Sequence, residues 1–287
     1  MGNNLRDLRR RLRSVKSTQQ ITRAMKLVAA SKLRRAQEEM ERFRPYAAGM
    51  RAVAASVGSR VSADAHPLLE ARSGNRVLLV VITSDRGLAG SFNATVLRRA
   101  VAWMRENPNK AVMVEPIGRK ARDFFKKRNA PIRNSHVDVF RRAGFEVSRE
   151  IAHGLVAAFL EEGFDQVMIL SNRFKTVMSQ DLVLEQLLPI AMPEADANSL
   201  ASDTIYEPDP ATILQTVLPA SVDISVHQAL LDSYASEHGA RMVAMEAATK
   251  NAGEMISRLT LQLNRTRQAA ITTEIIEIVS GAAALGA

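Results

Sequence analysis

The sequence predicts an α+α/β fold: long N- and C-terminal helices pair as an antiparallel coiled coil, and an α/β domain is inserted between them. Three observations carry this. Apolar residues recur in steps of three and four at Leu5, Leu8, Leu12 and Val15, and again at Leu33, Ala36, Met40, Phe43, Ala47, Met50, Ala54, Val57 and Val61. The same spacing returns at Ala252, Ile256, Leu259, Leu263, Thr266, Ala270 and Thr273, and a heptad sustained over that length marks a coiled-coil seam. Between the two stretches, strand and helix patterns alternate with short connections, as parallel pairing requires.

Residues 1–62 form the first predicted helix. It has no proline before Pro45, where a bend is expected, and it fades between Ser62 and Pro67. The α/β domain covers 75–190 and opens with Val77–Thr83, a β-branched and aliphatic run suited to a strand covered on both faces. A helix follows over Asn93–Glu106, closed by Asn107-Pro108-Asn109. Ala111–Ile117 reads as a strand, Lys120–Arg128 as a helix and Val137–Phe140 as a weaker strand. A helix over Val147–Glu162 ends at Gly163, the residue that tolerates a left-handed helix stop. Gln166–Leu170 is a further buried strand, and alternation in Lys175–Leu188 suggests an added antiparallel one. Residues 191–210 are proline-rich and acidic, a linker; residues 211–287 form the second long helix, with Pro210 suited to its first turn.

At 1.5 Å per residue, helices of roughly 55 and 75 residues span about 80 and 110 Å, more than a globular domain contains. They therefore read as a shaft, wound left-handed by the heptad. The C-terminal helix is expected to outrun its partner by about 20 residues, or ~30 Å. That overhang carries Ile275, Ile276, Ile278 and Val279. So much apolar surface on a lone helix needs a cover, a socket supplied by other chains.

The 287 residues carry a net charge of +9. Residues 1–51 hold fourteen Lys/Arg against four Asp/Glu, a net of +10, so the excess lies on the first helix. Either this face is simply solvated or an acidic partner lies along it. With no cysteine, disulfide and thiolate chemistry are excluded. The longest apolar run, Val77–Ile82, is far short of the ~20 residues that span a bilayer. No signal peptide is visible, since arginine interrupts leucine between Leu5 and Arg13.

Enzyme chemistry is not evident. Thr83-Ser84-Asp85-Arg86-Gly87-Leu88-Ala89-Gly90-Ser91 follows the first strand but has neither dinucleotide-binding nor P-loop glycine spacing. Gly87 and Gly90 read as turn residues, and Asp85 and Arg86 as a loop anchor or ion pair rather than a ligand-positioning pair. His66, His136, His153, His227 and His238 lack metal-ligand spacing. Ser84 and Ser91 sit in no nucleophile elbow. The basic face at Arg6, Arg9, Arg10, Arg11, Arg13 and Lys16 has no aromatic partners for base stacking, so nucleic acid is not an expected ligand. No catalytic, metal or cofactor-binding residue is assigned.

The same residues carry a resemblance. Ile271-Thr272-Thr273-Glu274, followed by Glu277 and Gly281-Ala282, together with Thr18–Lys32, Ser84-Asp85-Arg86-Gly87-Leu88 and Tyr206-Glu207-Pro208-Asp209-Pro210, resemble the gamma subunit of the F-type ATP synthase over essentially the whole chain. Ala89 departs from the cysteine of many relatives, and the cysteine-bearing insertion of photosynthetic relatives is absent.

The resemblance implies a Rossmann-like foot domain and a non-catalytic rotor shaft standing in a hexamer of alpha and beta subunits. Proton-driven rotation of the membrane c-ring (sodium-driven in some relatives) would be coupled through the shaft to conformational cycling of the beta subunits. Arg267 and Gln268 would contact an open beta subunit. Arg23, Lys26, Lys32, Arg34 and Arg35 would face an acidic lever on beta, and Ile275, Ile276, Ile278 and Val279 would turn in an apolar sleeve. Tyr206 and Glu207 would lie near the c-ring and the epsilon-type subunit (delta-type in mitochondria). The implied location is peripheral, on the cytoplasmic face of a bacterial inner membrane or the matrix side of the mitochondrial one. A match beginning near residue 2 implies no transit peptide.

Overall fold

The computed structural model describes residues 2–58, 66–141, 144–191 and 209–285. In order they form α1 (Gly2–Gly58), β1 (Arg76–Ile82), α2 (Phe92–Glu106), β2 (Ala111–Ile117), α3 (Arg119–Lys126), a 3-10 turn (Val139–Arg141), α4 (Phe145–Glu161), β3 (Gln166–Phe174), β4 (Gln180–Leu188) and α5 (Pro210–Leu285). Two compact units result, one of residues 2–29 with 242–285 and one of residues 30–241. The fold is thus the expected one, a terminal helix pair with an inserted α/β domain.

In the larger unit the sheet order is β2-β1-β3-β4. β1 runs parallel to both β2 and β3, and β4 is antiparallel to β3. The continuous apolar run of β1 explains its central place. Leu78, Val80 and Ile82 point into a core shared with α4 and α5, including Leu155, Leu218, Val222 and Val226. Val77, Leu79 and Val81 point into a second core with Val96, Trp103 and Phe125 of α2 and α3. Each such fully buried aliphatic side chain contributes about 1.5–3 kcal/mol. The β3–β4 register is irregular between Val167 and Met168. Gly118, between β2 and α3, has φ 94, and a Cβ there would meet the Thr83 carbonyl oxygen at 2.1 Å. Only glycine fits that turn.

The expected strand over Val137–Phe140 does not form. Parallel bridges from Val114 to Ile132 and from Ile117 to His136 already cover the edge of β2. Asp138 then turns into the left-handed region at φ 56, and a 3-10 turn follows. Helix α1 runs through Pro45 and ends at Gly58, and α5 accommodates Pro219. Val61 and most of the 191–210 linker lie outside the described residues.

In the smaller unit the heptad is visible as burial. On α1 the less exposed positions are Leu5, Leu8, Leu12, Val15, Gln19, Thr22, Lys26 and Ala29; on α5 they include Met245, Thr249, Ala252, Ile256, Leu259, Leu263, Thr266, Ala270 and Thr273. The middle of this seam is polar. Lys26 Nζ donates to Glu246 Oε1 at 2.6 Å, the Thr22 and Thr249 hydroxyls meet at 2.8 Å, and Gln19 Nε2 donates to the Thr249 carbonyl at 3.4 Å. A Cβ on Gly253 would sit 3.0 Å from Gln19 Nε2, so the Gln19 amide lies against the Gly253 backbone. These pairs fix an antiparallel register in which the start of α1 lies level with about residue 270. The overhang of α5 beyond the start of α1 is therefore about 15 residues, ~22 Å, against the expected 20.

Candidate interaction surfaces

In an open parallel sheet, ligands bind beyond the carboxyl ends of the strands where the strand order reverses, and phosphates sit on a helix N-terminus. Here both places are filled by the chain itself. At the start of α3, the Arg119 amide donates to Asp85 Oδ1 at 2.9 Å, the Lys120 amide to the Ser84 carbonyl at 3.1 Å and the Ala121 amide to Thr83 Oγ1 at 2.9 Å. Asp85 Oδ1 also accepts from the Asp138 amide at 3.1 Å, so it is a loop anchor. Ser84 is tied to Asn93, and Gly90 occupies a left-handed turn position at φ 56. The crevice beyond β1 and β3 is closed by α5. Ser233 Oγ accepts from the Asn172 amide at 3.4 Å, Asp232 Oδ1 from the Phe174 amide at 3.2 Å, and Arg241 Nη2 donates to the Gly87 carbonyl at 3.2 Å.

The buried polar groups hold helices rather than poise a reaction. Glu237 and Arg241, with side chains 8% and 9% exposed, form an ion pair of 2.5 Å. Burial pushes the Glu237 carboxyl up while the Arg241 guanidinium pulls it back. Arg241 Nη1 donates to His238 Nδ1 at 3.1 Å; burial, then the charges of Arg241 and Lys32, push that imidazole down to about 3. His227 is wedged edge-on between Phe43 and Phe145, with Nδ1 2.7 Å from Ser148 Oγ, and burial lowers its pKa. Glu115, 1% exposed, binds Arg133 at 2.7 Å and His136 at 2.8 Å. His153 faces Asp223 at 3.7 Å, and His66 Nδ1 accepts from the Leu68 amide. Every histidine therefore has a local structural partner.

What faces outward is large and unlike a catalytic cleft. In the smaller unit, Ile275, Ile276, Ile278 and Val279 are 55%, 58%, 71% and 61% exposed. Residues 274–282 are exposed throughout, whereas the seam positions up to Thr273 are partly covered. Arg267 and Gln268 lie exposed together, flanked by the seam residues Thr266 and Ala270. Arg23 is exposed, but Lys26 is a seam residue paired within the chain. In the larger unit Lys32, Arg34 and Arg35 are exposed within one turn of α1, and Arg34 also pairs with Glu38 at 3.0 Å. Tyr206 and Glu207 lie outside the described residues.

Sequence reasoning missed two features. One is the run of outward apolar side chains Ile21, Leu27 and Val28, 57%, 65% and 57% exposed. It adjoins the polar seam, so polarity there is reversed between inside and outside. Continuing the heptad phase from Val15 to Ala29 through polar residues would have revealed it. The other is Leu88, 64% exposed at φ 63 on the loop after β1; no sequence pattern marks it.

A family model described as ATP synthase matches residues 4–285. The ATP synthase gamma chain of Geotalea daltonii is 46% identical over 281 residues, covering 97% of this chain and 98% of that one. That of Moorella thermoacetica is 47% identical over 282 residues, covering 98% and 99%. Among solved structures, a chain from the central stalk and c-ring of the Tetrahymena thermophila mitochondrial ATP synthase is 28% identical, covers 79% of this chain and 99% of its own, and has a TM-score of 0.60. A chain of the Euglena gracilis mitochondrial ATP synthase shares the fold at a TM-score of 0.70 and 20% identity, covering 99% and 95%. No helix among the described residues is long and apolar enough to cross a membrane. By sequence over nearly its full length, and by fold, the chain belongs to the ATP synthase gamma chain family.

Proposed function

We infer that this chain is the central rotor shaft of an F-type ATP synthase, coupling rotation of a membrane c-ring to conformational cycling of catalytic beta subunits. It is not itself the catalyst. The observation that carries this reading, beside the family, is the overhang of α5. A helix end with four aliphatic side chains 55–71% exposed, and no helix among the described residues covering it, calls for an apolar sleeve.

The finer assignments follow the same logic. A hexamer of alpha and beta subunits supplies the sleeve. Arg267 and Gln268 meet an open beta subunit, and Arg23, Lys32, Arg34 and Arg35 meet an acidic segment of beta. Lys26, whose side chain is 35% exposed while it pairs with Glu246, meets the same segment. Tyr206 and Glu207 lie toward the c-ring and the epsilon-type subunit. Protons drive the ring, and the complex sits on the cytoplasmic face of a bacterial inner membrane, a reading supported by the Geotalea and Moorella gamma chains.

No bond chemistry is needed from the shaft. Its faces differ around the axis, so each orientation favours a different conformation at three beta sites through differential contact energy. The test is purification of the full chain from its host. Stoichiometric co-purification with larger nucleotide-binding subunits is expected. Deleting Ile275–Ala287 should lower assembly or coupled ATP synthesis. A chain that purifies alone, or a deletion with unchanged assembly, coupling and stability, defeats the reading.

A further inference from the structure

The larger unit grips α5 at one turn from two sides. From the loop after β1, the Gly87 carbonyl accepts from Arg241 Nη2 at 3.2 Å. From the β3–β4 turn, the Val177 carbonyl lies only 3.4 Å from where a Cβ on Gly239 would sit, so that turn packs directly on the helix backbone. Between them Arg241 is spread over three acceptors, Glu237 Oε1 at 2.5 Å, His238 Nδ1 at 3.1 Å and Gly87 O. An arginine fork fixed at both ends in a dry site is a rigid link. It joins a helix side chain to the backbone of a loop that is itself fixed to the sheet through Thr83, Ser84 and Asp85.

A structural ion pair would need only Glu237 and Arg241. The third contact, to a loop carbonyl 154 residues away in the chain, adds nothing to that pair and instead ties the loop to the helix.

We propose that Glu237 and Arg241 are positioning residues that latch the loop 83–91 to α5, and that load passes between sheet and shaft helix through this latch. The proposal rests on the rotor reading. It makes the loop a fixed part of the rotor rather than a mobile turn, and it makes the forked donor, not the charge, the property that matters.

The test replaces the pair by apolar residues of similar volume, Glu237→Leu with Arg241→Met. Such replacements of a buried pair leave stability unchanged or raise it, while Gly87 loses its donor. In the purified complex, assembly and melting are expected to match the parent. Backbone hydrogen exchange in 84–91 should rise about tenfold, the change that loss of one hydrogen bond of about 1.4 kcal/mol produces. Protons pumped per ATP should fall by at least about half, the sign that load is slipping. Parental exchange in 84–91, or faster exchange with intact pumping, overturns the latch. If the double variant does not assemble, Arg241→Lys decides. It keeps a positive charge beside Glu237, but its Nζ ends one bond short of the Nη2 that reaches Gly87, and it has no second nitrogen for His238. The same rise in exchange is expected, and no rise overturns the proposal. Failure of the rotor reading shows separately, as a parent chain that does not co-purify with nucleotide-binding subunits; exchange on the full chain alone then still decides the latch.

Discussion

Acidification should weaken the α/β domain through His238, and the size of the effect follows from where that ring sits. His238 is 4% exposed. It packs edge-on against Tyr234 at 4.5 Å and accepts a hydrogen bond from Arg241, whose guanidinium stays protonated. Lys32 from α1 adds a second positive charge facing it. The folded ring therefore titrates at about 3, against about 6.5 in the unfolded chain. Because the folded pKa is depressed, the unfolded chain takes up the proton first. The stability tied to the neutral ring is complete above pH 6.5 and is lost as pH falls toward 3. Going from pH 7.5 to pH 5 costs about 2 kcal/mol from this group alone. Glu237, raised by burial, acts in the opposite sense, so the parent chain shows only a sum. His238→Gln isolates the term, since its side-chain oxygen still accepts from Arg241 but cannot titrate. Urea unfolding followed by Trp103, the sole tryptophan and 7% exposed on α2, reads this domain directly. With a slope of about 3 kcal/mol per M, the parent midpoint should fall by about 0.7 M more than that of the variant between the two pH values. Equal falls in the two proteins would refute the argument.

Arg133→Met should lower the stability of the same domain by about 3–5 kcal/mol in that urea assay, because Glu115 is then left buried with only His136 beside it. Thr22→Val alone should cost about 1 kcal/mol of helix-pair stability by circular dichroism, whereas Thr22→Val with Thr249→Val should be nearly neutral, since both partners of the seam hydrogen bond have become apolar. Charge reversal at Arg34 and Arg35 should reduce coupled turnover at low salt and less so at high salt; indifference at low salt would mean these exposed side chains are merely solvated.

Most of the architecture is legible in the chain because the physics that shapes it is local. β1 could be read because Val77–Ile82 is buried on both faces, and α1 and α5 because an apolar residue every third or fourth position has no other use. The strand over Lys175–Leu188 was read from alternation, yet the burial of β4 does not alternate; its antiparallel pairing comes with the short β3–β4 turn. Val137–Phe140 deceived because strand propensity there is overridden by a tertiary fact, the edge of β2 already being covered from Ile132 to His136. The seam between Gln19 and Lys26 was invisible to a search for apolar residues; its members recognise one another by hydrogen bonds, whose partners are 220–230 residues away. For the same reason nothing near Arg241 announces that it reaches Gly87. The apolar tip was legible because exposure of that kind is anomalous on any isolated helix.

The dependence of the sheet on α5 has a consequence for biosynthesis. One face of the sheet is completed by Leu214, Leu218, Val222, Val226 and Leu230. During synthesis all four strands leave the ribosome before any of these residues does. The nascent domain must therefore wait, with a broad aliphatic face uncovered, until some 40 further residues beyond β4 have been added. At about 5–20 residues per second that interval lasts seconds, long enough for the bare face to find a neighbouring nascent chain. Messages truncated between β4 and Leu230 should yield products held by chaperones or degraded, even though every strand has been made.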